Sequence, residues 1–484
     1  MKESFKIRIF GIIVTALSLV GSAGFVATLL STGLLTAVII SIVCVVLTAL
    51  TAGIFLLVKN GKYKVRCVIG TALALILLTV QAVFGYYIGT GAAALNHISK
   101  PSVEYADVGV YVLKEDAAKE PADIKAYTIG ILATQDRENT DLALKELEAA
   151  FGNPPTVTEF DGLESLMDGL LTEKTVSAVL LNVGFLDMLE EIEGHEEDLS
   201  KIKELCLLHI EKDTVSVEKN EVSATEKTTF TLYISGIDTT GKVSKRSRSD
   251  VNILATVNVA TGQVLLISTP RDYFVPHPAS NGMPDKLTHA GIYGIDVSMG
   301  ALEELYDVEI DYFFRVNFDG FEKIIDALGG ITAYSYYDFE RPPYTFVKGE
   351  NVLDGKSALC FARARKQVPG GDRTRGKHQM EIIKGVINKM SSPAMLMGYT
   401  EVLEGVKDSF ETSLPYEDIS RLVRHQLNRG TKWNVSTYSV SGSGASRRPY
   451  SQSLNAYVMI PDEATVEKAK ELIEQVKNGK VPEV

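Results

Sequence analysis

Cysteine, tryptophan and histidine are scarce in this 484-residue chain, with four, one and seven copies, and their placement removes several function classes. Cys44 and Cys67 lie in or beside long apolar runs, and Cys206 and Cys360 stand alone in apolar segments, so no disulfide framework is readable. No CxxC or HExxH occurs and the histidines are scattered, which leaves a structural or catalytic zinc site without support. Charge of either sign is missing from Ile9 to Val58 and again from Cys67 to Asn96. A bilayer crossing takes about 20 apolar residues, so the first stretch holds two spans, with Ser31–Gly33 as their turn, and the second holds one. A cleaved signal peptide has an apolar core of only about 7–15 residues and is not followed by two more such runs. Lys2, Lys6 and Arg8 precede the first span, and Lys59, Lys62, Lys64 and Arg66 separate the second from the third. Both basic segments are therefore expected in the cytoplasm, with the N-terminus, and everything after about residue 97 outside.

Behind this membrane region, residues 1–98, the chain is long enough for more than one domain. Residues 105–215 alternate strand and helix patterns: "VGVYVL", "YTIGILA", "TVTEF" and "VSAVLLN" as strands, "TDLALKELEAAF" and "LESLMDGLL" as helices. That alternation predicts a small accessory α/β domain with a largely parallel sheet, a spacer or docking module in which no chemistry is visible. Its acidic run "EEIEGHEED", Glu190 to Asp198, reads as a solvated helix end. The polar stretch Glu211 to Thr228 is the natural linker. Residues 226–484 then read as one larger α/β domain, with a mixed sheet flanked by helices. "FTLYISGID", "VNILATVNV" and "QVLLIST" are its buried strands, "GFEKIIDALGG" is a helix, and "DEATVEKAKELIEQVKNG" closes it with acids in the first turn and Gly479 after the end.

The formal net charge is −12, yet "CFARARKQVPGGDRTRGKHQ", residues 360–379, carries six Lys/Arg and one acid, Asp372. A solvated face or a nucleic-acid patch is the plain reading of such a run. Spacing argues otherwise. Arg363 and Arg365 are two apart, which on a strand puts them on one face, and two adjacent guanidiniums repel unless an anion lies between them. "GGDRTRGKHQMEIIKGVINKM" looks like a glycine-rich turn entering an amphipathic helix, with Arg375 and Gln379 four apart near its N-terminus. Arginines added to a helix N-terminus make a phosphate or pyrophosphate cradle, because the planar fork grips phosphate oxygens two at a time. Three more polar clusters follow buried strands: "SGID" with Asp238, "SRSD" with Arg248 and Asp250, and "TPRD" with Arg271 and Asp272. Asp238 and Asp250 offer hard oxygen ligands of the kind that suit Mg²⁺, or else serve as turn and capping residues. Asp272 either orients Arg271 or acts as a base. Lys286 and His289 in "KLTHAGIYG" are second-rank candidates, equally readable as packing, and "SGSGASRR", Ser441 to Arg448, reads as a mobile loop.

Taken together, "SRSDVNILATVN", "ISTPRDYFVP", "DKLTHAGIYG", "VNFDGFEKIIDALGG" and "CFARARKQVPGGDRTRGKHQ" resemble the LytR-CpsA-Psr family of cell-envelope proteins, strongly over about residues 229–390. Three N-terminal spans followed by an accessory α/β domain resemble the capsule-type members. The resemblance implies a membrane-anchored enzyme that moves a glycan from a polyprenyl pyrophosphate carrier onto peptidoglycan with Mg²⁺ assisting and polyprenyl phosphate released. By motif position it makes Asp238 and Asp250 the metal ligands, and Arg248, Arg271, Arg363, Arg365, Arg375 and Gln379 the pyrophosphate holders, with Asp372 buttressing Arg375. It also implies an apolar pocket for the isoprenoid chain, to which helices around Ile324 and Ile383 would contribute, and leaves room for capsule-assembly membrane proteins as partners. Thr288 stands where the family usually has Asn.

Two rival functions use the same residues. A polyprenyl-pyrophosphate phosphatase would replace the sugar hydroxyl by water, and a non-catalytic regulator of capsule assembly would only bind the precursor. Nucleic-acid binding is not expected, since the basic cluster belongs outside the membrane and no other nucleic-acid motif is present.

Overall fold

The structure is a computed structural model; it describes residues 2–33, 35–59, 64–98, 104–189, 192, 194–212, 228–237, 239, 243–392, 402 and 405–484. The chain divides into two compact units. One comprises Met1–Lys100, Met390–Lys407 and Leu414–Thr431, and the other Pro101–Lys389, Asp408–Ser413 and Lys432–Val484.

In the first unit, Lys6–Thr32, Ala37–Lys59 and Lys64–Ile98 are long and apolar enough to cross a membrane. Small and hydroxyl residues line their contacts. A Cβ on Gly70 would lie 2.7 Å from Val58, and Gln81 Nε2 donates to Ser22 Oγ at 2.6 Å. In hydrocarbon, where apolar burial gives helices no reason to associate, close backbone approach and such interhelical hydrogen bonds supply it.

The accessory sheet has the order Thr156–Phe160, Thr128–Leu132, Ala178–Asn182, Glu104–Leu113, Ile202–Lys212. All the strands and both helices expected between 105 and 182 form, but the sheet is mixed rather than largely parallel. Glu104–Leu113, which has no crossover helix before it, is inserted antiparallel between two later strands. The strand Ile202–Lys212 went unread because its polar start resembles the preceding acidic run. In that run Glu196 and Glu197 are exposed, as a solvated end requires, whereas Asp198 is buried and bonded to His195 Nδ1 at 2.7 Å and Lys201 Nζ at 2.9 Å. Most of the expected linker, from residue 213 to 227, lies outside the described residues.

The larger domain is built on a six-stranded sheet ordered Phe410–Thr412, Tyr312–Val316, Thr229–Ile237, Ser249–Asn258, Gln263–Thr269, Asn434–Ser439. Alternation along the strands sorts two faces. Tyr233, Leu254, Leu265 and Ile267 pack beneath the helices Ile295–Tyr306 and Glu463–Lys477. Ile253, Ala255, Val264 and Leu266 pack under Met380, Ile383 and Ile387 of the helix Asp372–Met390. On that second face Leu232, Ile234, Val251 and Val257 are only half-buried, so part of the sheet is an open apolar floor. "SGSGASRR" is not a mobile loop: Gly442–Arg447 pairs with Ala456–Pro461 as a hairpin. Met459 N of that hairpin donates to the Asp272 carbonyl at 2.7 Å.

The two domains share a core, in which Leu132, Met167, Phe185 and Met188 of the accessory domain meet Ile292, Tyr293, Val297 and Tyr450. Beside it lies a buried ion network. Glu104 meets Arg246 Nε at 3.0 Å and Arg315 Nη1 at 2.5 Å, and Arg315 also bonds Glu411. Burial alone would raise the Glu104 pKa, but Arg315 and Arg246 outweigh it and hold it below the usual carboxylate range.

Candidate functional site

Asp250 is the centre of the site. It opens the strand Ser249–Asn258, and Arg271 Nη1 donates to its two carboxylate oxygens at 2.9 and 3.2 Å. Arg271 follows the neighbouring strand Gln263–Thr269 after Pro270, so the antiparallel pairing of the two strands brings acid and base together. Thr288 fastens the pair from a third element, its hydroxyl on Asp250 Oδ1 at 3.2 Å and its N–H on the Arg271 carbonyl at 2.9 Å. The residue that departs from the family pattern thus makes two polar contacts in the site. Burial pushes the Asp250 carboxyl up, but the guanidiniums of Arg271, Arg248 and Arg375 prevail and hold its pKa low. Asp272 and Asp372 pair with Arg271 and Arg375, and Lys286 and Arg365 stand 3.9 Å from those two acids, so five cations, Arg248 among them, meet three carboxylates with a surplus of two positive charges. That surplus is what a pyrophosphate would neutralise.

Arg375 comes from the helix Asp372–Met390, which begins where the turn containing Gly370 and Gly371 requires positive φ, at 80° and 52°. Asp372 Oδ1 takes Arg375 Nη2 at 2.6 Å and stands 3.9 Å from Arg365 Nε, so the first-turn acid aims two arginines at once. Gly376 lets the helix approach the sheet, since a Cβ there would collide with the Ser268 hydroxyl.

The "FARAR" stretch is not a strand. Gly355–Ala362 is a helix, Arg363 is its C-cap residue, and the basic stretch turns directly toward the next helix. The Asp354 capping box with Ser357, which starts this helix, is the local signal that outweighs the two-residue arginine spacing. Arg363 lies over the Phe318 ring at 4.3 Å, Arg365 is exposed, and Gln379 Nε2 reaches the Ala362 carbonyl at 3.4 Å. The structure therefore pairs Arg271 with Asp250 and Arg375 with Asp372, brings the charges of Arg248 and Arg375 to bear on Asp250, leaves Arg365 exposed 3.9 Å from Asp372 and Gln379 on the Ala362 carbonyl, and stacks Arg363 on an aromatic ring. Asp238 lies outside the described residues.

Asp272 is buried. Its carboxylate is 6% exposed, 3.8 Å from Arg271 Nε and 3.9 Å from Lys286 Nζ, a position that steadies the arginine from behind. Behind Lys286 sits a cluster that sequence reasoning saw only as His289. Asp285 Oδ1 bonds His289 Nδ1 at 2.8 Å and Ser451 Oγ at 3.0 Å, all fully buried. Serine and aspartate both address the same imidazole nitrogen and no solvent reaches them, so this Ser-His-Asp set is a staple and not a nucleophile. Burial would raise the Asp285 pKa, yet His289 and His277 hold it far below the usual range. The stapled loop also reaches the accessory domain, where Glu164 accepts from Ser453 N at 2.8 Å and Leu454 N at 3.1 Å.

One buried group on the arginine helix was missed altogether. His378 is fully buried against Phe361 at 4.3 Å, Phe339 at 5.5 Å and Tyr336 at 6.2 Å between ring centroids. Burial lowers its pKa from 6.5 to about 4. The unfolded chain takes up a proton below about 6.5 that the folded chain refuses down to about 4, so stability is full above that window and falls as the pH drops through it. His378→Phe is expected to flatten the pH dependence of thermal unfolding between those limits; an unchanged profile would remove His378 as its source.

Comparison with known proteins agrees with the motifs. The family model for the LytR-CpsA-Psr family matches residues 203–475, more than half of the chain. The chain belongs to that family. It is similar to the polyisoprenyl-teichoic acid–peptidoglycan teichoic acid transferase TagU of Bacillus subtilis, 30% identical over 238 residues, covering 49% of this chain and 76% of that protein. The Enterococcus faecalis TagU is 33% identical over 208 residues, covering 42% and 68%. Among solved structures, that of B. subtilis TagV covers 53% of this chain and all of its own, with 27% identity and a TM-score of 0.45.

Proposed function

We propose that the protein transfers a glycan, with the phosphate it is attached to, from a polyprenyl pyrophosphate carrier to peptidoglycan: an acceptor hydroxyl attacks the glycan-linked phosphorus, the P–O–P bond breaks and polyprenyl phosphate leaves, the glycan being a capsular polysaccharide or a related anionic glycopolymer. The observation that carries this reading is the cluster of Arg248, Arg271 and Arg375 around Asp250. The named activity of the TagU relatives supports it. Arg271 and Arg375 grip the pyrophosphate by bidentate hydrogen bonds, Arg248 adds charge, and Asp272 and Asp372 orient the two gripping guanidiniums. Most of the rate in such a transfer comes from positioning and charge stabilisation. The isoprenoid chain lies along the half-buried floor of Leu232, Ile234 and Val251, beside Ile383.

Among the described residues no three His, Cys, Asp or Glu side chains gather as a metal site. Mg²⁺ is commonly held by one or two carboxylates and substrate phosphates, and Asp250 fits that pattern. Asp250, with Asp238, would hold the ion, and bound Mg²⁺ would supply further neutralisation of the pyrophosphate. The membrane topology we propose places the N-terminus in the cytoplasm and both α/β domains outside.

The test is to incubate the full-length protein with a lipid-linked glycan, with and without peptidoglycan. The expected result is glycan attached to peptidoglycan and polyprenyl phosphate released only when acceptor is present. Free glycan phosphate at the same rate without acceptor would replace transfer by hydrolysis, and no turnover in either arm would favour a regulator.

A further inference from the structure

The helix Tyr416–Arg429 follows an edge strand of the larger sheet, Phe410–Thr412, and precedes the other edge strand, Asn434–Ser439. It nevertheless belongs to the compact unit of the membrane helices. Tyr416 Oη donates to the Thr32 carbonyl at 2.6 Å, at the end of the first membrane helix, and the helix packs against Lys64–Ile98. Height follows from geometry. From Arg8, the last charge before the first apolar run, to Thr32 is 24 residues by numbering. At about 1.5 Å per residue this is about 36 Å, slightly more than the roughly 30 Å hydrocarbon layer. Thr32, and with it the start of Tyr416–Arg429, therefore sits at headgroup level on the far side from Arg8.

Its composition suits that level. Tyr416, Ile419, Leu422, Val423 and Leu427 share one helical face, while Glu417, Arg421, Arg424 and Asn428 occupy the other. The apolar face is not used up by protein: Ile419, Leu422 and Val423 are half-buried and Leu427 is 37% exposed. From Ile419 to Lys432 there are four Lys/Arg and no acid, in a chain of net charge −12. A short helix with an uncovered apolar face, basic flanks and a tyrosine at the interface is the pattern of a helix lying in a membrane surface.

We propose that Tyr416–Arg429 is an interfacial helix whose partner is the phospholipid headgroup layer, its apolar face toward the acyl chains and Arg424 and Arg429 on lipid phosphates. It gives the chain a second membrane attachment, inserted between the two edge strands of the larger sheet. The inference requires that the three apolar helices cross a bilayer; it does not depend on the transferase reading.

Depth-resolved fluorescence tests it in the full-length protein. Trp433 is the sole tryptophan, so Trp433→Phe gives a silent background. Into it go Leu427→Trp on the apolar face or Asn428→Trp on the polar face, both at exposed positions one residue apart. The protein is reconstituted in vesicles of phosphatidylethanolamine and phosphatidylglycerol containing phospholipid brominated near the top of its acyl chains. The expected result is about twofold or greater quenching at position 427 and little at 428. Equal quenching at both positions, or none at 427, would overturn the proposal. So would a 427 signal shielded from lipid by concentration-dependent contact with a second copy of the chain.

Discussion

Arg271→Ala is expected to reduce glycan transfer about a thousandfold while the protein stays folded. Losing one preorganised donor on developing charge costs about 10²–10³ in rate, and arginines on transferring phosphoryl groups about 10³–10⁵. Arg271 is also the group that holds Asp250 in place through two contacts from one nitrogen. The Thr288 bond to its backbone carbonyl survives the substitution, so the local chain path is retained. Arg271→Lys keeps the charge but not the fork and should recover only part of the rate. Transfer kinetics read alongside thermal unfolding check this. A folded Arg271→Ala protein with near wild-type transfer would take Arg271 out of the cradle.

The largest expected effect on stability is at Glu104, far from that chemistry in sequence. Glu104→Ala removes a partner shared by Arg246 and Arg315, whose side chains are 8% and 2% exposed. Breaking a buried ion pair from one side typically costs about 3–5 kcal/mol, because a charge is left in a dry place without compensation. Glu104→Met with Arg246→Met leaves Arg315 with Glu411, a balanced pair, and should be less destabilised than Glu104→Ala alone. Denaturant unfolding of the detergent-solubilised chain measures both. Unchanged stability in Glu104→Ala would show that the shared hydrophobic core alone joins the two domains.

These two residues also mark what sequence reading reaches and what it does not. The nearness of Arg271 to Asp250 was legible in outline because two local motifs each place a charged residue at the end of a buried strand. The membrane helices, four of the five accessory strands, three of the six strands of the larger sheet, and the entry of the arginine helix at Gly370 and Gly371 were legible for the same local reasons. Arg363 and Arg365 were misread because a two-residue spacing fits a strand and equally a turn, and the Asp354 capping box settles it for a helix. Glu104, Arg246, Arg315 and Glu411 were invisible because their signal is pairing over 96 to more than 200 positions, which a single sequence does not carry. The accessory domain looked like a spacer or docking module for a related reason. Its strands and helices are locally complete, while the core it shares through Phe185 and Tyr293 is purely tertiary. Thr288 looked like a minor departure until its two contacts tied Asp250 to Arg271.

The central claim is that Arg248, Arg271 and Arg375 close around one pyrophosphate beside Asp250. An experimental structure of the full-length protein with a polyprenyl pyrophosphate bound tests it most directly. The account predicts phosphate oxygens within hydrogen-bond reach of Arg271 and Arg375 and the isoprenoid chain over Leu232, Ile234 and Val251. A pyrophosphate held elsewhere, with Arg271 still closed on Asp250, would contradict it.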